Sequence, residues 1–218
     1  MENKLIKLLK LIKKKTIRAA NDYRRSRKLK KSTRQVFIDC GANTCKVLRD
    51  YIEKFPDFEF FAFEAQPELA QEGQRVINDY PNTKITFFDK AVWIKNERKN
   101  FYLATQWGPN YKGGSTLLAG HTENKSNVDY SHPVQVDTID FSEWLGSNFC
   151  SSDYVIIKMD IEGAEYAVLE KIIQEDNQHI INELIVEFHQ KMNQSITTER
   201  HNSLIEKIKE FALLTIWH

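Results

Sequence analysis

The chain has 218 residues, of which 41% are hydrophobic and 28% are charged, as expected for one soluble globular domain. Its apolar runs are too short to span a membrane, and lysines interrupt the apolar residues of the N-terminus, so neither a membrane protein nor an export signal is predicted. The three cysteines have no CxxC spacing, which excludes a disulfide framework and a zinc knuckle and favours a cytoplasmic location.

The net charge of +1 conceals two segments of opposite sign. Residues 1–34 contain 14 lysines and arginines against two acidic residues, whereas the rest of the chain contains 17 basic and 28 acidic residues. Apolar residues at positions 5, 8, 9 and 12 predict a basic amphipathic helix over residues 3–20. Residues 21–34 have almost no large apolar side chains and are predicted to be a solvated linker.

The basic helix has three interpretations. Residues 1–20 could lie on an anionic membrane surface, which would make the protein peripheral to a membrane. They could equally pack on the same domain or on a second subunit of a homo-oligomer. Nucleic acid is not the expected partner, because aromatic residues do not alternate with the basic ones apart from Tyr23.

The remaining residues, 35–218, are predicted to form one domain in which strand and helix patterns alternate. Strands are predicted at 36–39, 58–64, 84–92, 101–104, 134–139, 154–160, 183–188 and 213–217. Helices are predicted at 44–54, 67–79, 141–145, 165–174 and 198–211. This alternation indicates βαβ units and a mostly parallel α/β sheet, and a glycine-containing segment over 105–133 is predicted to be a long loop.

The first strand ends at Asp39 and is followed by Cys40, Gly41, Ala42 and Asn43 before a helix begins. Gly41 allows a close backbone approach to a ligand, and the helix N-terminus presents free N–H groups. The dinucleotide fingerprint GxGxxG is absent, and an acidic residue here would repel a pyrophosphate. S-adenosylmethionine, which carries an ammonium and a sulfonium group, is the better match. The alternative is a tight turn capped by Asp39.

The next two strands also end in acidic residues. Glu64 comes 23 residues after Gly41, where a carboxylate can accept hydrogen bonds from both ribose hydroxyls. The alternative is an acidic residue at a helix start, next to Pro67. Asp89 could accept from an adenine amino group while Ala91 packs on the ring, or the third strand could simply leave the sheet there.

Two later strands end in groups suited to proton transfer. The strand over 154–160 leads into Asp160 and Glu162, and the strand over 183–188 carries Glu187 and His189 at its end. Because the carboxyl ends of parallel strands meet at one edge of a sheet, we expect these four side chains to share a site. Asp160 and His189 are the candidate general bases.

Two other interpretations apply to the same residues. Glu187 and His189 lie two apart on one strand face and could be a hydrogen-bonded pair that steadies the sheet edge. Asp160, Glu162, Glu187 and His189 could also ligate Mg²⁺ or Mn²⁺. Nothing in their spacing demands an ion, so we expect chemistry without a metal. Glu165, in the first turn of the next helix, is predicted to be a helix-start acid.

The order of these motifs resembles that of the FkbM-type methyltransferases. The resemblance covers about residues 36–190 and is carried by the segments 39–43, 64–67, 90–92, 115–117, 136–140, 158–165 and 187–189. It implies a Rossmann-like, class I, S-adenosylmethionine-dependent O-methyltransferase, and many members of the family methylate sugar hydroxyls. A carbohydrate or glycoconjugate is therefore the expected acceptor.

The expected site combines these motifs. Cofactor contacts are expected from Asp39, Gly41, Ala42, Asn43, Glu64, Ala65, Asp89, Ala91 and Asp160. Catalytic roles are expected for Asp160, His189, Glu187 and Lys158.

Two features depart from the family pattern. Cys45 stands where the family usually has glycine, and its side chain would either crowd the methionine end of the cofactor or face the helix side. One strand only is predicted after the last helix, whereas the class I sheet closes with an antiparallel pair. These departures favour, as the alternative, an inactive, cofactor-binding interaction module. A second alternative, linked to the basic residues 1–34, is an RNA methyltransferase.

Overall fold

The computed structural model describes residues 25–105, 113–119, 128–190, 193 and 195–217. The predicted N-terminal helix over residues 3–20 lies outside the described residues, as does most of the loop predicted over 105–133. Among the residues described, no helix is long and apolar enough to cross a membrane.

The described residues form nine strands and, besides the helical residues 25–29, five α-helices. The strands are β1 (Gln35–Cys40), β2 (Glu59–Phe63), β3 (Ile85–Phe88), β4 (Ala91–Trp93), β5 (Arg98–Phe101), β6 (Val134–Asp140), β7 (Tyr154–Met159), β8 (Ile181–Val186) and β9 (Leu213–Ile216). The helices are α1 (Lys46–Lys54), α2 (Pro67–Asp79), α3 (Phe141–Asn148), α4 (Glu165–Gln174) and α5 (Thr198–Phe211). A short 3₁₀ helix at Gln178–Ile180 precedes β8.

The main sheet has six strands in the order β3-β2-β1-β7-β8-β9, and every neighbouring pair is parallel. All six residues of β7 are buried, because helices cover both faces of the sheet at its centre. From the centre of the sheet, β1 to β3 follow one another toward one edge and β7 to β9 toward the other. The boundary between β1 and β7 is therefore the switch point, where α/β sheets bind ligands. The Rossmann-like α/β prediction, with helices on both faces, is confirmed.

The residues of β1 alternate between two cores. Val36, Ile38 and Cys40 pack in a cluster with side chains of α3, α4 and α5. Phe37 packs on the opposite face, in a cluster with side chains of α1 and α2. Asp39 lies two residues after Phe37, so its side chain is on the same face of β1, toward α1 and α2, rather than at the strand's edge.

A second, smaller sheet has the order β4-β6-β5 and encloses its own apolar cluster. The single strand predicted over residues 84–92 is wrong: the chain leaves the main sheet after β3, and Ala91–Trp93 pairs instead with β6. Strand β5 pairs antiparallel with β6 and lies a few residues before the strand predicted at 101–104.

The edge of the main sheet beside β8 departs from the class I pattern. Strand β9 follows α5 and pairs with β8 in parallel, over Glu183–Val186 and Leu213–Ile216. Strand β9 is thus parallel to β8, whereas the expected class I sheet ends in an antiparallel pair of strands.

The described residues of the predicted linker are mostly exposed, but some of them contact the domain. Residues 25–29 are helical, and Leu29 packs against the apolar cluster on the α1 side. Nε of Arg25 donates to Glu183 at 2.6 Å, where the carboxylate is buried at the amino end of β8. Tyr154 donates its hydroxyl to the same carboxylate. A buried carboxylate needs such a cation, and the basic segment therefore joins the domain at this point.

Candidate functional site

A cavity of about 880 Å³ opens at the carboxyl ends of β1, β2, β7 and β8, beside the switch point of the main sheet. Residues of β4, β5 and the segment 113–117 form the opposite wall. A volume of this size accommodates a ligand as large as a nucleoside derivative. The fold therefore presents one deep site where parallel α/β sheets commonly bind small molecules.

Gly41 closes the floor of the cavity between β1 and β7. Its φ of +80° favours glycine, and a Cβ atom at this position would overlap the backbone oxygen of Asp160. The turn is tied to β2, because the N–H groups of Gly41 and Ala42 both donate to the oxygen of Phe63, at 3.0 and 2.9 Å. The sequence needs glycine here so that the ends of three strands can meet.

Glu64 lies in the cavity wall with its side chain almost wholly buried. Its two carboxylate oxygens accept hydrogen bonds from the backbone N–H of Asn43 at 2.7 Å and of Gln66 at 2.8 Å. Burial raises the pKa of Glu64, although both hydrogen bonds oppose that rise. The carboxylate is therefore fixed in orientation, and each oxygen retains lone pairs that a ligand hydroxyl can use.

Beneath the cavity floor, Lys158 and Asp39 form a buried ion pair. Nζ of Lys158 lies 3.2 Å from Oδ1 of Asp39 and donates to the backbone oxygen of Gly41 at 2.7 Å. It also lies 3.6 Å from Oδ2 of Asp160, whose side chain is partly exposed to the cavity. Lys158 thus connects the centre of the sheet to the first acidic residue of the site.

Three carboxylates surround the imidazole of His189. Nε2 of His189 lies 3.3 Å from Oε2 of Glu162, 3.9 Å from Oδ1 of Asp160 and 4.0 Å from Oε1 of Glu187. All four side chains line the cavity, as expected from their places at the ends of β7 and β8. We call these four residues the acidic cluster.

Glu165 anchors the acidic cluster from below, a role that sequence analysis missed. Its fully buried carboxylate accepts hydrogen bonds from the N–H groups of Ile161 and Gly163 at 3.0 Å each, and it lies 2.9 Å from Nδ1 of His189. The prediction of a simple helix-start acid describes its position in α4 but not these contacts. Its place at the end of the motif over 158–165 was the available signal.

The charges of the acidic cluster change its protonation. Burial would lower the pKa of His189, but the hydrogen bond and charge of Glu165, with the charges of Glu162 and Asp160, raise it to about 9. Burial raises the pKa of Glu162 to about 7, and His189 only partly opposes this. At neutral pH the imidazole is therefore protonated and cannot accept another proton.

The structure brings most of the predicted site residues to the cavity wall. Those that line it are Gly41, Asn43, Glu64, Ala65, Ala91, Asp160, Glu162, Glu187 and His189. Of the predicted residues, all of them described, four lie outside the lining. Asp39 and Lys158 are buried below the floor, Ala42 packs in the core, and Asp89 is exposed where the chain leaves β3. The lining residues not predicted include Phe63, Leu69, Val92, Phe101, Gly113 and Leu117.

Cys45 faces the helix side, which resolves the two alternatives for its side chain. It is fully buried in the apolar cluster with Ala42 and Leu48, and it is not among the cavity-lining residues of the described chain. Its φ of +56° lies in the left-handed region, where a glycine would be unstrained. The expected crowding of the cofactor by this side chain is therefore not observed, and the unusual feature of Cys45 is its backbone conformation.

The fold and the cavity define a Rossmann-like α/β protein with a ligand site at the switch point of its sheet. Comparison with known sequences gives the family: the Methyltransferase FkbM domain matches residues 39–211. The chain therefore belongs to the FkbM methyltransferase family.

Two curated relatives are similar to part of the chain. Methyltransferase 1 of Beauveria bassiana (strain ARSEF 2860) is 28% identical over 149 residues, which cover 63% of this chain and 58% of that protein. The 2-O-methyltransferase NoeI of Sinorhizobium fredii (strain NBRC 101917 / NGR234) is 25% identical over 140 residues, covering 62% of this chain and 56% of NoeI. The chain thus spans less than two thirds of either relative. No solved structure matches it.

Proposed function

We propose that the chain transfers a methyl group from S-adenosylmethionine to a hydroxyl group of a carbohydrate. Glu64 carries this proposal: a buried, oriented carboxylate at the end of β2 faces a cavity of nucleoside size. Membership of a methyltransferase family supports methyl transfer. The name of NoeI, a 2-O-methyltransferase, supports an oxygen acceptor.

The size of the cavity and the charge of its lining residues support S-adenosylmethionine as the cofactor. Glu64 would hold the ribose, the turn at Gly41 and Asn43 would border the amino acid part, and Ala91 would pack against the adenine. The acidic cluster supplies the negative charge that a sulfonium and an ammonium group require. When bound, this cofactor supplies an activated methyl group on a positively charged sulfur.

The residues of the chain have two further tasks. They must hold the acceptor oxygen in line with the methyl group, and they must take the proton that the hydroxyl loses. Asp160 and Glu187 are the more exposed carboxylates of the acidic cluster, with 28% and 36% of their side chains accessible. We assign the proton to one of these two, because His189 is already protonated at neutral pH.

Calorimetric titration with S-adenosylmethionine tests the cofactor part of the proposal. Glu64→Gln should weaken binding about tenfold or more, because hydrogen bonds to a charged acceptor contribute about 1.5–3 kcal/mol each. Glu68→Gln is the matched control, since Glu68 is an exposed glutamate in the first turn of α2. An unchanged dissociation constant for Glu64→Gln, or no binding by the unmodified chain, would contradict the assignment.

Mass spectrometry after incubation with isotope-labelled cofactor tests the acceptor. The label should appear on a hydroxyl of at least one member of a carbohydrate panel. The double variant Asp160→Asn with Glu187→Gln should lose turnover even at cofactor concentrations that saturate it, because the carboxylates that would take the proton are gone. Label on RNA and not on carbohydrate would overturn the acceptor class, and full turnover by the double variant would overturn the assigned proton acceptors.

A further inference from the structure

The acidic cluster contains a set of groups that could ligate a metal ion. One oxygen each of Asp160 and Glu162 and one ring nitrogen of His189 all lie within 4.8 Å of one another. We propose that these three side chains bind one divalent cation of the Mn²⁺ or Mg²⁺ class. Carboxylate oxygens with one imidazole are donors that suit Mn²⁺, and carboxylates with water suit Mg²⁺.

The spacing of the three groups is close to that of an octahedral site. At metal–oxygen distances of about 2.1 Å, adjacent ligand atoms lie about 3.0 Å apart and opposite ones about 4.2 Å apart. Nε2 of His189 lies 3.3 Å from Oε2 of Glu162 and 3.9 Å from Oδ1 of Asp160, between those two values. Small rotations of partly exposed side chains would bring the three atoms into place.

The backbone at Glu162 gives an independent reason to expect a ligand. Its φ of +51° is in the left-handed region, which is uncommon for a residue with a side chain. The hydroxyl of Thr116 donates to the backbone oxygen of Glu162 at 2.7 Å and holds it in this conformation. Such conformations are concentrated at binding sites, where the direction of one side chain matters.

The side chain of Glu162 is directed into the acidic cluster by this backbone. Its Oε2 atom is enclosed, and it makes no hydrogen bond to the described residues, although Nε2 of His189 lies 3.3 Å away. An enclosed carboxylate oxygen without a hydrogen bond is costly unless a cation satisfies it. A metal ion between Glu162, His189 and Asp160 would satisfy it more fully, and it would take the place of the proton that Nε2 of His189 otherwise carries.

Glu165 completes the arrangement expected around a metal-binding histidine. It contacts Nδ1 of His189 at 2.9 Å, so that Nε2 points at Glu162 and Asp160. A carboxylate on the far nitrogen fixes the ring and increases its strength as a ligand. Glu165 is fully buried and held by the backbone N–H of Ile161 and Gly163, which gives the ring a rigid support.

The ion would act on the acceptor hydroxyl, a role that rests on the proposed function. Asp160, Glu162 and His189 all line the cavity, so an ion held by them would be accessible to a substrate there. A substrate hydroxyl bound to the ion would be oriented and made more acidic by it. Glu187, which lies at the rim of the acidic cluster and outside the three ligands, would remain available to accept the proton.

Metal binding can be measured without cofactor or acceptor. Titration of the chelator-treated chain with Mn²⁺, followed by electron paramagnetic resonance, should show one site that saturates below about 1 mM. Asp160→Asn and Glu162→Gln should each weaken binding about tenfold or more, while Glu206→Gln, on the exposed face of α5, should not change it. Circular dichroism establishes that each variant is folded, and Asp160→Asn, at a partly exposed side chain, is the more conservative change.

Two results would overturn the proposal. One is the lack of a saturating site in the unmodified chain, and the other is unchanged affinity in both cluster variants. Calorimetry with S-adenosylmethionine in the presence of chelator separates this outcome from failure of the proposed function. Cofactor binding and methyl transfer that persist in chelator would leave the proposed function intact and remove the ion from it.

Discussion

Removing the cation beneath the cavity floor tests how the fold supports the site. In Lys158→Met the buried carboxylate of Asp39 loses the ammonium group that lies 3.2 Å away. The folded protein must then keep an unpaired charge or place a proton on Asp39. An ordinary aspartate pKa is about 3.9, so holding the proton at pH 7 costs at most about 4 kcal/mol. Losses of about 3–5 kcal/mol are typical for one-sided removal of a buried ion pair.

The pH dependence identifies the cause of this loss. Burial raises the pKa of Asp39, and the loss of Lys158 should raise it further. A carboxylate with a raised folded-state pKa favours the folded state at low pH and disfavours it as the pH rises. The difference in unfolding free energy between Lys158→Met and the unmodified chain should therefore be small near pH 4. It should grow by at most about 1.4 kcal/mol per pH unit toward pH 7.

Urea unfolding at pH 5, 6 and 7 is the appropriate assay. Adding Asp39→Asn to Lys158→Met should remove the pH dependence of the loss, because no titrating group then remains at that position. Lys171→Met is a control, since Lys171 pairs with Asp140 nearer the surface and should lose less stability. A loss below about 1 kcal/mol at pH 7, or an equal loss at pH 5 and pH 7, would refute the reasoning.

Three further outcomes are expected. Gly41→Ala should lower the free energy of unfolding by about 2 kcal/mol or more, measured in urea, because φ is +80° and Cβ would overlap the backbone oxygen of Asp160. Gly113→Ala should change it little, because its Cβ would make only an ordinary contact, at 3.5 Å from Nδ2 of Asn43. A chain starting at residue 35 should unfold at lower temperature than one starting at residue 25, because Glu183 loses Arg25; equal melting temperatures would contradict this. Burial lowers the pKa of His201, so stability should fall as pH drops below about 6.5, and His201→Gln should reduce that fall; an identical acid profile would exclude it.

The helices were predictable because their ends carry local signals. The structure has α2, α4 and α5 with the predicted bounds. Pro67 stands at the first position of α2, where a missing N–H costs nothing. The side chain of Thr197 accepts a hydrogen bond from the N–H of Arg200 and so begins α5. Each signal lies within four residues of the boundary that it sets.

The position of the site was predictable for a similar reason, but the direction of single side chains was not. Parallel strands deliver their carboxyl ends to one edge, which brings Glu64, Asp160 and His189 to one cavity. Asp39 points into the core because it shares a strand face with Phe37. Asp89 is exposed because the chain crosses to the second sheet beside it. That crossing depends on pairing with β6, which is distant in sequence.

The contacts of Glu165 could not be predicted from the sequence around it. A glutamate in the first turn of a helix is ordinarily explained by the helix dipole, which needs no other residue. Here the carboxylate also reaches His189, which is 24 residues further along the chain, and two backbone N–H groups of the preceding turn. Only the packing of α4 beside the end of β8 creates that second set of contacts.

The ion-pair network around Lys158 and His189 contains more carboxylates than cations, which favours a positively charged ligand beside it. Five carboxylates, those of Asp39, Asp160, Glu162, Glu165 and Glu187, are connected through two cations, Lys158 and His189. Like charges at these distances repel strongly where water is partly excluded. A cationic ligand would relieve that repulsion, and methyl transfer would remove the sulfonium charge of the proposed cofactor while leaving its ammonium group. The excess of carboxylates would therefore favour binding of the proposed cofactor over binding of its product.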